Sequence, residues 1–506
     1  MNDNLFTLFR SRMPQPGKAF MEAPQGRTIS YGEVIDLSGR FAQVLVDLRV
    51  APGDRVAVQV AKSPEALILY LACLRAGAVY LPLNTDYTGA ELTYFLADSE
   101  PTVFVCDPAK RLELEDIAAD VGVPHLETLD GDGAGSITDK AAGAAPDFAD
   151  RARGKDDLAA ILYTSGTTGR PKGAMLTHAN LASNAETLAA YWRFSSDDVL
   201  LHALPIFHTH GLFVATNVTL MAGASMIYLP RFDIDEVLRL LPEATTMMGV
   251  PTFYSRLLSR PDFTRDLVGH IRLFVSGSAP LSADTHRAFE ERTGHAILER
   301  YGMTETGMNT SNPYDGPRRA GTVGFPLPGV EIRIADRETG QALPQGEVGV
   351  IEVRGSNVFK GYWRMPEKTE AEFRGDGFLI TGDLGLIDGQ GYVNIVGRDK
   401  DLIISGGYNV YPAEVEAALD AIKGVAESAV VGVAHADFGE GVTAVVVVRS
   451  GAQLTEEEIR RTLQTHLAGY KVPKRVFFVD ELPRNKMGKI QKNVLREKFQ
   501  DAYRSP

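Results

Sequence analysis

The sequence of 506 residues predicts an α/β protein: a large N-terminal domain of layered α/β subdomains plus a β-rich subdomain, then a small mobile α+β C-terminal domain. Three observations carry this reading. Short β-branched runs alternate with stretches of helical apolar spacing over most of the length, the pattern of substantially parallel sheets covered by helices. From about Thr322 the texture changes to short strands separated by Gly and Asp turns. Beyond residues 397–400 a compact α+β pattern begins, with a charge balance of its own.

Taken in order, residues 55–60 read as a strand. Residues 66–83 are the most apolar stretch, but Arg75, Gly77 and Pro82 interrupt it. It reads as a buried helix (65–74, with its start near Ser63) turning into a strand (78–83), because a membrane span needs about 20 apolar residues. Strands at 102–106, 159–163, 225–229 and 271–275 alternate with helices at 180–192, 233–241 and 283–293, and residues 131–145 form a small-residue loop. Residues 346–354, 377–381 and 392–396 supply the all-β subregion. A boundary at Gly397-Arg398-Asp399-Lys400 separates 1–398 from 399–506. The C-terminal part then reads as helix 412–421, strands 428–433 and 443–448, helix 455–467, strand 475–479 and a closing helix at 492–500.

The 52 Lys+Arg against 65 Asp+Glu give a net charge of −13, which favours solubility and argues against nucleic acid or a membrane as partner. Residues 399–506 hold 15 acidic and 15 basic side chains, so the large part carries the whole excess. Residues 471–506 hold 10 basic and 4 acidic ones, a cationic end suited to closing over a polyanion. Cys73 and Cys106 form no CxxC, and the first ten residues lack the basic start and apolar core of a signal peptide. A cytoplasmic monomer or small homo-oligomer is expected.

The most informative string is Tyr163-Thr-Ser-Gly-Thr-Thr-Gly-Arg-Pro-Lys-Gly173, between an apolar strand and a helix. Gly166, Gly169 and Gly173 let the backbone approach a ligand closely. The hydroxyls of Thr164, Ser165, Thr167 and Thr168, with exposed N–H groups, can cradle phosphate oxygens. Lys172 adds a compact positive charge. A Walker A loop would need GxxxxGK[ST], which the string does not satisfy, and no GxGxxG follows a strand.

This string resembles the phosphate loop of the acyl-adenylate-forming superfamily: acyl-CoA synthetases, peptide-synthetase adenylation domains and beetle luciferases. The resemblance continues through Tyr301-Gly-Met-Thr-Glu-Thr306, similar to the adenine and magnesium motif, and Thr381-Gly-Asp383, similar to the ribose motif. Gly397-Arg-Asp-Lys-Asp401 resembles the hinge, and Pro483-Arg-Asn-Lys-Met-Gly-Lys489 the loop carrying the catalytic lysine. It implies ATP and CoA as co-substrates and Mg²⁺ as cofactor, the metal held by Thr164 and Glu305. Lys489, Glu305 and Arg398 are then the catalytic residues. The nucleotide site implied comprises residues 164–169, Lys172, Ser276-Gly277-Ser278-Ala279, Glu299 to Thr304 (Arg300, Tyr301, Gly302 and Met303 included), Asp383, Arg398 and Lys489. Lys400 is the implied hinge, and Ser405-Gly406-Gly407-Tyr408 would line the pantetheine tunnel. The chemistry explains the need for cations: a carboxylate attacking the α-phosphate of ATP brings two anions together.

The acid is read from the residue before Tyr301-Gly302-Met303, where many relatives carry a small side chain and this sequence has Arg300. A guanidinium beside the adenylate is costly unless it faces an anion, and a second substrate carboxylate would satisfy it bidentately. The alternative is a local ion pair, with Glu299 for instance. Together with His208-Thr209-His210-Gly211 and Thr304–Asn309, Arg300 resembles the malonyl-CoA synthetases. That implies a short pocket formed by Arg300, His210, Thr209, Ser276 and Met308, with Met308 limiting substitution at the α-carbon. Another short-chain or dicarboxylate acyl-CoA synthetase (methylmalonate, for example) and a catalytically silent nucleotide-binding protein stay open as alternatives. The HxH spacing of His208 and His210 lacks the further ligands of a zinc site.

Overall fold

The computed structural model describes residues 2–23, 26–164, 171–435, 437–485 and 488–503. Among these, four sheets form. One has seven strands, with Arg55–Gln59 parallel to both Val79–Pro82 and Val103–Cys106. Between the first two strands runs the helix Pro64–Ala76, started by the Ser63 side chain accepting from the Ala66 N–H and ended by Gly77 at φ 72°. Every residue of that helix is buried, as its all-round apolar sequence requires.

The second sheet has nine strands, of which Ser225–Tyr228, Val199–His202, Thr246–Gly249, Leu273–Ser276 and Leu298–Met303 are neighbours in parallel. Ligands of open α/β sheets gather outside the carboxyl ends of such strands. Those ends carry His202, Gly249, Ser276 and the stretch Tyr301–Met303. The sheet is extended by strands the sequence reading passed over, Ala19–Ala23 and Arg27–Ser30. The helix Tyr31–Asp47, closed at its start by a Ser30/Glu33 capping box, was also passed over.

The β-rich expectation is met by a four-stranded antiparallel sheet of Val330–Ala335, Gly349–Gly355, Leu379–Ile387 and Val393–Arg398, which sets Asp383 opposite Arg398. A short helix, Pro366–Ala371, interrupts this β region.

Residues after 400 build a five-stranded sheet whose long hairpin joins Val425–His435 to Gly439–Val448. Its apolar runs alternate between two cores. Val430, Val442, Ala444 and Val446 pack on one face, and Ala429, Val431, Val433 and Val445 on the other. Helices cover both faces, so neither strand shows a polar side.

Two expectations need correction. Residues 131–145, expected as a small-residue loop, contain the helix Ser136–Gly143. The glycine-rich string is expected to lie between a strand and a helix beginning after Asn180, with no strand between. Instead, Leu158–Thr164 pairs antiparallel with a further strand, Lys172–Thr177, and the helix His178–Tyr191 follows that strand. Ala174 and Leu176 are buried on either side of the less buried Met175, a strand-like alternation in this segment.

Candidate active site

The hairpin places Lys172 and Thr164 as partners in register, with the Thr164 hydroxyl 3.4 Å from the Lys172 carbonyl. Ser165, Gly166, Thr167, Thr168 and Gly169 lie outside the described residues. The Lys172 ammonium sits 2.9 Å from Glu372 and 4.0 Å from the centre of the Tyr362 ring. The Tyr362 hydroxyl in turn lies 2.6 Å from Glu372 and 3.0 Å from Glu305. Burial raises the proton affinity of Glu305. Phosphate-loop lysine and candidate metal carboxylate are thus joined through one tyrosine. Sequence reasoning missed both Tyr362 and Glu372, because neither falls in a motif.

Asp383, 3% exposed, is held from two sides. Arg398 Nε approaches one oxygen at 2.7 Å and the Tyr301 hydroxyl donates to the other at 2.6 Å. An ionised carboxylate has about four acceptor positions, so capacity for a diol remains. Arg398 is raised in proton affinity chiefly by Asp383. The pair lies on neighbouring strands of one sheet and is not an interdomain bridge.

At the end of Leu273–Ser276, Gly277 lies against Arg300: a Cβ there would stand 2.3 Å from the guanidinium carbon. Only glycine leaves that space. Ser278 follows with a left-handed backbone, φ 73°, and its hydroxyl bonds His210 Nδ1 at 3.1 Å. Ala279 continues this wall.

Arg300 is 4% exposed, and its Nε and Nη2 have no hydrogen-bond partner among the described residues. The suggested pairing with Glu299 does not form, since successive strand residues point to opposite faces. Glu299 instead accepts from the Leu281 N–H at 3.1 Å, and burial pushes its pKa up to about 8. Burial pushes Arg300 down to about 9, so the guanidinium stays charged at neutral pH. Around it, Thr209 Oγ1, His210 Nε2 and Ser276 Oγ are also buried without partners. Burial and the nearby Arg300 hold His210 well below the usual histidine range, and burial with Lys489 and Arg300 takes His208 to about 3, so both are neutral. A buried charge normally has a partner; among the described residues this guanidinium and these three polar groups have none.

Met308 lines the same region. Its terminal methyl lies 2.6 Å from where a Cβ on Gly302 would be, and Asn184 brackets its backbone, accepting from the N–H at 3.1 Å and donating to the carbonyl at 3.0 Å. Asn184, buried on the helix face that also buries Leu181, Ala185 and Leu188, is a polar break in an apolar stripe. That break was the available signal for it. Behind the pocket, the buried Lys62 donates to His202 Nδ1 at 3.0 Å, and His202 Nε2 reaches the Gly211 carbonyl at 2.9 Å. His202 is therefore a packing residue. Among the described residues no group of three or more His, Cys, Asp or Glu could hold a metal.

Lys489 comes from the C-terminal body. A Cβ on Gly488 would stand 3.3 Å from Thr252 Oγ1 of the large body, and the Lys489 charge feels Arg398, Asp383, Arg300 and Glu305. The side chain reaches water through the cleft, yet desolvation and then Arg398 lower its pKa. The expected hinge, Lys400, sits in the one-turn helix Asp399–Asp401, exposed. Its neighbours are tied to opposite bodies: Asp399 pairs with Arg337 at 3.2 Å, and Asp401 with Arg496. Ser405 is buried, Gly406 and Gly407 have φ 60° and 83°, and the exposed Tyr408 stacks on Tyr470 within the C-terminal body. These residues are not part of the cluster around Arg300.

No helix among the described residues is long and apolar enough to cross a membrane. Residues 8–363 match the family described as AMP-binding enzyme, and residues 414–489 the AMP-binding enzyme C-terminal domain. The chain is 39% identical to a feruloyl-CoA synthase of Amycolatopsis sp, with 94% of each chain covered. It is 36% identical to a mitochondrial malonate–CoA ligase of Bos taurus, covering 96% of this chain and 89% of that one. Against the ATP-bound crystal structure of MatB from Rhodopseudomonas palustris it is 62% identical, with a TM-score of 0.98 over 100% of both chains. The apo MatB structure, covered equally, gives 0.87. The chain belongs to the AMP-binding enzyme family.

Proposed function

We propose that the chain is a malonate–CoA ligase: malonate, ATP and CoA give malonyl-CoA, AMP and diphosphate through malonyl-AMP. The observation that carries this reading is the buried, charged and unpartnered guanidinium of Arg300. A fatty or aromatic acyl group brings no charge to neutralise it, whereas the far carboxylate of malonate does, through charge-assisted bonds to Nε and Nη2. The likeness to a malonate–CoA ligase supports the reading. The feruloyl-CoA synthase likeness supports the ligase class alone.

In the first half-reaction the near carboxylate attacks the α-phosphorus and diphosphate leaves. Lys172 holds the outgoing phosphates, Asp383 accepts from the ribose hydroxyls, Arg398 adds positive charge nearby, and the stretches 276–279 and 299–304 enclose the base and sugar. Lys489 meets the carboxylate and α-phosphate oxygens where the two anions converge. The donors available for Mg²⁺ are hard oxygens, the Glu305 carboxylate and Thr164 hydroxyl beside Lys172, which suits a cation that binds one carboxylate plus phosphates and keeps several waters. When bound, that ion neutralises phosphate charge. Thr209, His210 and Ser276 complete the pocket for the far carboxylate, and Met308 bounds the α-carbon.

In the second half-reaction a thiol attacks the acyl carbon and AMP leaves. We assign residues 1–398 and 399–506 as domains that rotate about Lys400, bringing Ser405–Tyr408 to the pantetheine channel. The higher likeness to ATP-bound than to apo MatB, and the seating of Gly488 against Thr252, support an adenylating arrangement here. Two free, buried cysteines suit a reducing, cytoplasmic setting.

The test is CoA-dependent AMP release over a panel of malonate, methylmalonate, succinate, acetate and ferulate. Malonate should give the highest kcat/KM. An equal or higher value for an acid with one carboxylate overturns the malonate reading, and no diphosphate exchange with any acid overturns the enzyme reading.

A further inference from the structure

We propose that Arg484, braced by Glu427, is a positioning residue that fixes the backbone of Lys489 for adenylation; this rests on the role given to Lys489 above. The lysine stands at the end of a tight loop. Its N–H bonds the Asn485 side chain at 3.0 Å and its carbonyl accepts from the Asn485 N–H at 2.9 Å. Residues 484 and 490 close the loop as an isolated antiparallel bridge. Leu482 and Ile490 anchor its stems in an apolar core shared with Val431 and Val433.

The carbonyl just before the lysine, that of Gly488, accepts from Arg484 Nη1 at 2.6 Å, and Arg484 Nη2 pairs with Glu427. Glu427 lies on the strand Val425–His435, opposite Val447 in the long hairpin. The guanidinium thus links the turn carrying Lys489 to the long hairpin of the small domain. Its planar fork suits two partners held at fixed angles, which an ammonium cannot match.

The position of Lys489 matters because its ammonium works at the end of a four-carbon stem. A misplacement of about 1 Å in reacting geometry costs on the order of 10²-fold. The Gly488 peptide sets where that stem starts, and Gly488 (φ 74°) rests against Thr252 of the opposing domain. A loop shifted by loss of the Arg484 bond would carry Lys489 off the α-phosphate while leaving the large-domain triphosphate contacts in place.

The test measures both half-reactions on the full chain. Arg484→Met should lower the rate of malonyl-AMP formation about tenfold or more, with the KM for ATP changed by no more than about twofold. Thioester formation from preformed malonyl-AMP and CoA should stay within about twofold of the parent. Arg484→Lys should fall between. Glu427→Gln, which keeps an acceptor and its volume, should lose adenylation alone by about threefold, and serves if Arg484→Met does not fold. Equal loss of both half-reactions, or unchanged adenylation in Arg484→Met, overturns the proposal. Lys489→Ala run alongside separates the two claims: if it also loses both half-reactions equally, the role of Lys489 falls first.

Discussion

Arg300→Met removes the charge and keeps an unbranched stem as far as the position of Nε, vacating only the outer guanidinium atoms beside Gly277. Nε and Nη2 have no partner among the described residues, so both are available for two charge-assisted bonds to a carboxylate. Bonds to charged groups contribute about 1.5–3 kcal/mol each, and breaking a buried ionic pair costs about 3–5 kcal/mol. Malonate should therefore lose roughly 10²–10³-fold in kcat/KM. Acetate makes no such bonds and should change by less than about threefold. Stability gives a second reading. Burial lowers the pKa of Arg300 to about 9, so the folded state carries this charge at a cost at neutral pH. The variant should melt no lower than the parent. The assay is initial-rate AMP release with each acid across a concentration series, beside thermal melts. Equal losses for malonate and acetate would refute the reasoning and make Arg300 a structural residue.

Gly277→Ala introduces a methyl 2.3 Å from the Arg300 guanidinium carbon and should cut malonate activation at least tenfold while sparing diphosphate exchange with acetate; parallel loss would locate the damage in the nucleotide site. Lys400→Pro should slow thioester formation more than adenylation, read by single-turnover kinetics, and an unchanged second step would remove the hinge assignment. Glu299 has its pKa raised from 4.5 to about 8. Its neutral form is favoured by folding, so its contribution is complete below the unfolded value and is lost as pH rises through about 8. Glu299→Gln should accordingly melt higher than the parent above that pH and show a flatter stability profile between pH 5 and 9; an unchanged profile would contradict the burial of a neutral acid.

The parts legible in the sequence were those where local pattern and long-range structure agree. The helix Pro64–Ala76 could be recognised because Ser63, Gly77 and the apolar run from Ala66 to Leu74 all mark it. Motif residues scattered from Thr164 to Lys489 converge because strand ends and one loop of the small domain carry them. Less legible were features set by partners distant in sequence. The strand Lys172–Thr177 follows a proline and depends on pairing back to Leu158–Thr164. The π-helical turn His210–Thr216 has its Gly211 carbonyl held by His202 and Thr216. Tyr362 and Glu372 reach Lys172 across some 200 residues of chain, a link that periodicity cannot express. The Arg300 reading shows the opposite case. One unusual residue marked the place for a cation, and the strand's alternation keeps Glu299 from pairing with it.

The most direct measurement is a crystal structure with malonyl-AMP or a non-hydrolysable analogue bound. The far carboxylate should lie within about 3 Å of Nε and Nη2 of Arg300, with His210 and Thr209 beside it and the Lys489 ammonium against the α-phosphate. A far carboxylate turned toward solvent, with Arg300 still unpartnered, would contradict the choice of malonate and leave only activation through AMP.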